Sequence, residues 1–301
     1  MRPTVALVGL GRMGAPMARR LLAARYRLRV YDARPRARAA FAQQQGATVC
    51  ASAAEAAQGA RVLITMLPDG AAVRAALLGR HGAAANLARG AVVVDMSSSD
   101  PGTTRRLGRA LAARGVAFLD APVSGRVIGA RDGTLTIMVG GAAAALARVR
   151  PVLGHLGTRI YHCGPAGAGH AVKSLSNAIA AAGTVAAFEA LLVGRALGLD
   201  PKLINDVWNA SAGRNTTTEQ KIPTQVLTRA FASGFALSLM AKDIGIAASL
   251  ARTTGVDAPL MRRSLALWRA AERRLPRGAD HTEMYLYLKS ISARRKLRRV
   301  S

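Results

Sequence analysis

Acidic residues are scarce in this 301-residue chain: 16 Asp and Glu stand against 43 Lys and Arg, for a formal net charge of +27. Arginine supplies 37 of the basic residues and is scattered from Arg2 to Arg299. A specific nucleic-acid surface is therefore not expected, because such readers gather their charge on one face. Aromatics make up only 4%, which leaves little material for platforms that stack bases. The densest basic run, Arg294-Arg295-Lys296-Leu297-Arg298-Arg299, reads as a solvated terminus.

Cysteine is rare as well. Cys50 and Cys163 show neither CxxC nor paired spacing, which argues against a disulfide framework and suits free thiols in a reducing cytoplasm. His81, His155, His162 and His281 are dispersed without ligand spacing, so no metal site is expected. No long hydrophobic run is present: the longest, Ala178 to Phe188, is interrupted by Glu189 and Arg195, too short for a bilayer and suited to a buried helix. Met1-Arg2-Pro3 leaves no room for a signal peptide before the first apolar run. A soluble cytoplasmic protein without membrane association is expected.

What is abundant is aliphatic. Half the residues are hydrophobic, enough for a large core of Ala, Leu and Val in two domains. Short β-branched runs at 5–8, 28–31, 62–66, 92–96, 117–119, 134–139 and 159–161 alternate with alanine-rich helical stretches. Such alternation predicts a parallel, doubly wound sheet with helices on both faces. After Gly164 the strand signals stop, and helical patterns occupy 169–198, 201–211, 218–229, 237–255, 259–274 and 282–298. The expectation is an α/β dinucleotide-binding (Rossmann) domain over 1–165 and an all-α domain over 166–301 for substrate and oligomerisation, joined by a long helix at the interface, where ligand clefts favour forming.

"GLGRMG" (9–14) directly follows the first apolar run. A lone GxGxxG is weak evidence, but here a strand precedes it, a helix-compatible stretch follows, and a second strand ends at Asp32. Gly9 permits a tight turn, Gly11 lets backbone approach a pyrophosphate, Gly14 allows close packing, and Leu10, Arg12 and Met13 complete the loop at a helix N-terminus suited to phosphate. Asp32 lies where a carboxylate accepts ribose hydroxyls and repels a 2′-phosphate, which favours NAD. Arg34 and Arg36 keep NADP as the alternative.

Beyond this motif the chain resembles the β-hydroxyacid dehydrogenases, the group containing 3-hydroxyisobutyrate dehydrogenase and tartronate semialdehyde reductase. The resemblance spans nearly the whole chain and rests on "GLGRMGAPMA" (9–18), "MLPD" (66–69), "DMSSSDP" (95–101), "DAPVSGR" (120–126) with "GTLTIMVGG" (133–141), "GAGHAVKSLSN" (167–177) and "LMAKDIGIA" (239–247), all in order. It implies that Leu67 and Pro68 border the cofactor, that Ser98 approaches its nicotinamide-side ribose, and that Lys242 reaches it from the helical domain. It implies likewise that Ser124 and Gly125 hold the substrate carboxylate, that Lys173 is catalytic and that Asn177 orients substrate.

The residue types suit those roles. Lys173 and Asn177 are four apart on an expected helix and emerge on one face. A lysine in a desolvated cleft takes the hydroxyl proton during alcohol oxidation and returns it in reduction, its charge stabilising the alkoxide. Ser124-Gly125 follows a strand ending at Asp120, a position where doubly wound folds bind ligands; a capping serine ahead of Pro101 is the alternative for Ser98, and a solvated helix face for Lys242. His170 reads as a packing or surface histidine.

Two positions depart from the family pattern. Arg126 replaces a second glycine after Ser-Gly, so either the backbone does not need glycine's freedom or a guanidinium borders the pocket and favours substrates with a second anionic or polyhydroxylated end. Ser176 replaces an asparagine often found beside Asn177. The resulting expectation is an NAD(P)-dependent 3-hydroxyacid dehydrogenase or semialdehyde reductase, a homodimer or homotetramer, acting on a small hydroxy acid. The alternatives are an imine reductase of the same superfamily and a non-catalytic basic Rossmann module that binds polyanions.

Overall fold

A computed structural model of the chain describes residues 3–300, with side chains described through residue 293, so the basic run 294–299 lies outside the described side chains. Two compact units divide between Lys173 and Ser174. The first contains strands β1 (Val5–Val8), β2 (Leu28–Tyr31), β3 (Ala47–Val49), β4 (Val62–Thr65), β5 (Val92–Asp95), β6 (Ala117–Asp120), β7 (Val123–Ser124), β8 (Thr136–Gly140) and β9 (Arg159–Gly164). Helices α1 (Gly14–Ala23), α2 (Pro35–Ala39), α3 (Ala53–Ala57), α4 (Gly70–Leu78), α5 (Pro101–Ala112), α6 (Arg126–Asp132) and α7 (Ala143–Leu153) alternate with them.

The strands form one sheet in the order β3-β2-β1-β4-β5-β6-β8-β7, with β9 beside β8. From β3 to β6 every pairing is parallel. Burial on both faces explains why β1, β4 and β5 read as apolar runs. Along β1, Val5 and Leu7 join one core, which also holds Val30, Ile64, Val92 and Val94, while Ala6 and Val8 join a second with Leu63 and Val93. The alternation is the period of two of a pleated strand.

The parallel order breaks at β8, which runs antiparallel to β6 and β7. β7 continues β6 in a single register along β8, Asp120 opposite Gly140 and Ser124 opposite Thr136. Pro122 separates them because it has no N–H to give the ladder, though its carbonyl still accepts from Met138 N–H. Strands β3 and β7, of 3 and 2 residues, are too short to carry a periodic signal in the sequence.

Helix α8 (Ala168–Ala196) runs from the first unit into the second. At 29 residues it is long and apolar enough to cross a membrane, which corrects the expectation drawn from its 11-residue apolar stretch alone. Its Ala181, Phe188 and Leu191 instead fill the core of the second unit, the behaviour of a core helix. That unit also holds α9 (Pro201–Asn209), a π-helical segment (Thr217–Val226), α10 (Leu237–Thr254), α11 (Pro259–Arg274) and α12 (Met284–Val300).

Trp268 on α11 is wholly buried in this second core, and its indole Nε1 finds no acceptor there. Its contribution is therefore packing alone. Trp268→Ala is expected to lower unfolding free energy by about 3–5 kcal/mol in urea denaturation, and Trp268→Phe by clearly less; equal losses would show that the N–H matters.

Candidate active site

Register decides where this site forms. Val8 lies opposite Tyr31 and Thr65, Thr65 opposite Asp95, and Asp95 opposite Asp120. The carboxyl ends of five parallel strands thus form one row, and the loops after them carry Gly9, Asp32, Leu67 and Ser98. Doubly wound sheets bind ligands along this edge.

The turn after β1 depends on absent side chains. Gly9 has φ +103°, and a Cβ on it would collide with the Met66 carbonyl; one on Gly14 would collide with the carbonyl of Gly9. Around Gly11 the only neighbour of an added Cβ is the tip of Arg34, at 3.6 Å. The turn is therefore closed beneath and open above. Helix α1 begins after Met13 without a side-chain cap; Ala15 N–H is taken by the Gly11 carbonyl at 3.0 Å and Pro16 has no N–H, so an anion would be met by the amides of the turn just ahead of them at the positive end of the helix. Arg12 is exposed beside them. An uncapped helix start over a glycine-floored turn fits the pyrophosphate of a dinucleotide.

Asp32, only 7% exposed, ties this turn to β2. Its Oδ2 accepts from Leu10 N–H at 2.7 Å, and its Oδ1 accepts from Arg34 N–H at 2.9 Å. The Arg34 guanidinium adds a fork, Nε to Oδ1 at 3.0 Å and Nη2 to Oδ2 at 3.2 Å. Burial pushes the carboxyl up, but the bonds from Arg34 and the two amides outweigh it and hold it below the usual carboxylate range. Asp32 thus carries its charge at any physiological pH, with Arg34 already on it.

Leu67, half-buried, donates its N–H to Ser97 Oγ at 2.9 Å, while Pro68 beside it is exposed. Ser98 is half-buried between two serines that are wholly buried. It does not cap the next helix: Asp100 does, accepting from Thr103 N–H. The capping alternative for Ser98 is thereby removed.

Beneath these loops lies a polar node that the sequence reading passed over. Asp95 and Asp120 are both fully buried. Asp95 accepts from the Thr65 hydroxyl, Ser97 N–H and the Ser99 hydroxyl at 2.8, 3.1 and 3.3 Å. Asp120 accepts from Gly167 N–H at 2.7 Å and His170 N–H at 2.9 Å, satisfying amides at the start of α8. The approach requires glycine. A Cβ on Gly140 would come within 2.6 Å of Asp120 Oδ1, and one on Gly169 would overlap the Met138 carbonyl. His170 completes the node; of the two readings, packing or surface, its 1% exposure removes the surface one. Lys173, half-buried, follows one turn later on the same helix.

Ser124 and Gly125 project past the end of β6, both exposed. Gly125 has φ +135° and Arg126 has φ +60°. The left-handed conformation is therefore required at 126 although arginine occupies it, at a cost of about 1–2 kcal/mol. One explanation offered by the sequence, that the backbone there does not need glycine's freedom, is overturned.

In the second unit Asn177 donates from Nδ2 to Asp243 Oδ2 at 2.6 Å. That bond turns its Oδ1 away from Asp243 and leaves the oxygen as the amide's accepting end. Lys242 Nζ lies 3.5 Å from Asp243 Oδ1 and is 27% exposed, so a fully solvated helix face does not describe it. Asp243 is 1% exposed; sequence reasoning gave it no role, although a charged residue set among apolar neighbours on α10 was the available signal. Asp95 and Asp120 offered a similar one, an acidic residue closing a wholly apolar strand.

The turn geometry separates two glycines experimentally. Gly14→Ala is expected to lower Tm, since its Cβ collides with backbone in the protein alone. Gly11→Ala should leave Tm nearly unchanged yet weaken NAD binding by about tenfold or more, because a backbone that must meet the pyrophosphate gains a side chain there. Titration calorimetry and thermal melts distinguish the two.

Comparison with known proteins agrees with this geometry. Residues 4–164 match the NAD binding domain of 6-phosphogluconate dehydrogenase, and residues 167–288 match the NAD-binding domain of NADP-dependent 3-hydroxyisobutyrate dehydrogenase. A 3-hydroxyisobutyrate dehydrogenase from Pseudomonas aeruginosa is 39% identical, over 85% of this chain and 88% of its own. An NAD-dependent L-serine dehydrogenase from the same organism is also 39% identical, over 88% and 91%. Among solved structures, Mycobacterium tuberculosis 3-hydroxyisobutyrate dehydrogenase with L-serine superposes with a TM-score of 0.87 at 34% identity, covering 96% of this chain and 99% of that one. With two family models in sequence, these relatives and the glycine-floored turn, the chain belongs to the 3-hydroxyisobutyrate dehydrogenase family of NAD(P)-dependent oxidoreductases.

Proposed function

We propose that the protein oxidises the β-hydroxyl of a small 3-hydroxy acid, or reduces the corresponding semialdehyde, with Lys173 as the general acid–base. The observation that carries this reading is Lys173 itself: half-buried, on the second turn of a helix whose first turn is pinned by a buried carboxyl at the sheet's carboxyl edge. NAD(P), when bound, supplies the hydride acceptor or donor. In oxidation the Lys173 amine takes the hydroxyl proton as hydride leaves the β-carbon; in reduction its ammonium returns that proton to the carbonyl oxygen. Asn177 orients the substrate by donating the second hydrogen of its Nδ2 to the reacting oxygen, the first being held by Asp243. The Ser124 hydroxyl and the amides of the strained turn at Gly125 and Arg126 receive the substrate carboxylate. The two compounds that name the Pseudomonas relatives, 3-hydroxyisobutyrate and L-serine, both carry a carboxylate and a β-hydroxyl.

Asp32 supports NAD over NADP, since a charged carboxylate accepts ribose hydroxyls and repels a 2′-phosphate. The Arg34 fork moderates that preference without removing it. Arg126 supports a substrate with a second anionic or polyhydroxylated end: it is exposed, and no acidic partner faces it among the described residues. In the second unit, exposed Ile179, Val193, Leu197, Leu199, Leu203 and Val207 supply apolar surface for a homodimer or homotetramer. Free Cys50 and Cys163 suit a cytoplasmic location. The Lys173–Asn177 spacing supports this reading over an imine reductase or a polyanion-binding module.

Lys173→Ala should lower kcat by about 10²- to 10⁴-fold in a spectrophotometric screen of 3-hydroxyisobutyrate, serine, glycerate, threonate and 4-hydroxybutyrate; undiminished turnover on the best substrate would refute the assignment. In the same assay Asp32→Ala should raise the NADP-to-NAD ratio of kcat/KM by about tenfold or more, as expected for losing hydrogen bonds to a charged acceptor. Arg126→Gly should penalise dicarboxylates more than monocarboxylates.

A further inference from the structure

His170 is 1% exposed, and both ring nitrogens are engaged. Nε2 donates to the Ser97 carbonyl at 3.0 Å, since a carbonyl only accepts. Nδ1 lies 2.7 Å from Thr104 Oγ1 on α5. The ring sits between two buried carboxyls, 3.8 Å from Asp95 Oδ2 and 3.9 Å from Asp120 Oδ2, and the His170 amide is held by Asp120. One side chain thus joins three elements: the loop after β5, helix α5 and the first turn of α8. The Ser97 it grips precedes Ser98 and accepts from Leu67 N–H through its hydroxyl, so the chain of contacts runs from the Leu67 loop through Ser97 and His170 to α8. Lys173 follows three residues later, on the adjoining turn.

We propose that His170 is a positioning residue that holds the Ser97–Ser98 loop and the Lys173 turn of α8 in one fixed arrangement, so that the proton-transferring amine is presented in register with the cofactor-side loop. A packing role alone would need only a ring-sized side chain. The observed arrangement uses a donor and a second polar nitrogen aimed at two different elements, and errors near 1 Å in such placement are costly to catalysis. His170 itself touches neither substrate nor cofactor. The proposal rests on the assignment of Lys173 as general acid–base.

The test uses the full-length enzyme and the variants His170→Ala, His170→Gln and Thr104→Val, each also in a Lys173→Ala background. His170→Ala should lower kcat by about 10- to 100-fold with KM for the hydroxy acid changed less than about threefold. His170→Gln, whose amide offers one donor and one acceptor, should recover kcat to within about threefold. Thr104→Val keeps the buried shape, so it remains informative if His170→Ala fails to fold, and should lower kcat by about 3- to 10-fold. In the Lys173→Ala background none of these changes should lower kcat by more than about twofold, because residues acting as a unit are not additive. Without cofactor, amide exchange over residues 171–173 should accelerate in His170→Ala and return to normal in His170→Gln. Full losses repeated in the Lys173→Ala background, or equal behaviour of the Ala and Gln variants, would overturn the role of His170 while leaving Lys173 standing; undiminished turnover of Lys173→Ala alone would overturn both.

Discussion

The Asp120 carboxyl on the first amides of α8 is the contact from which the rest of this site follows. A helix begins with unsatisfied N–H groups, and here two of them, on Gly167 and His170, end on a carboxyl that closes a buried strand. The contact exists because Gly140 and Gly169 have no side chains where strand, carboxyl and helix meet. It fixes where α8 starts, and with it where Lys173 stands. It also places a buried, acceptor-rich group beside a histidine whose ring reaches the neighbouring loop. Backbone, carboxyl and imidazole therefore hold in place the helix turn that leads to Lys173.

The same economy governs the nucleotide end. Gly9 and Gly14 are required by the fold of the turn, whereas Gly11 leaves its upper side open, so one motif holds two structural glycines and one that faces outward. Asp32 is charged, buried and already bound by Leu10 and Arg34. Its charge is retained because hydrogen bonds outweigh desolvation, a local balance that the excess of 27 positive charges across the chain does not determine. The contrast between a very basic chain and a site organised around buried carboxyls separates what net charge controls, solubility and encounter, from what geometry controls.

Much of this was legible before the structure. Strands β1, β4 and β5 announced themselves because burial on both faces writes a continuous apolar run, β2, β6, β8 and β9 through short β-branched or aromatic stretches between helical patterns, and α11 falls on residues 259–274 as its pattern predicts. β3 and β7 did not, since two or three residues cannot establish a period. The antiparallel turn of β8 was hidden because pairing direction leaves no trace in hydrophobicity; Pro122, which breaks β6 from β7, was visible, but its consequence needed the register. At the site, glycine spacing and the placement of Lys173 with Asn177 were readable as local patterns. The Asp95, Asp120 and His170 node joins residues 25 to 75 positions apart, and no short window of sequence holds such a set. Arg126 taught the opposite lesson: a residue unsuited to left-handed backbone occupies it nonetheless, so identity alone misjudged the conformation.

The central claim is that the first turn of α8 is locked to the sheet in the protein itself, before any ligand arrives. Native-state hydrogen exchange of the Gly167 and His170 amides, measured without cofactor, tests it most directly. Both lie at a helix start, where amides ordinarily exchange through fraying with little protection. The account predicts opening free energies for both that approach those of the core strand amides of β5 and β6. Exchange of either amide at the rate of a frayed helix terminus would contradict it.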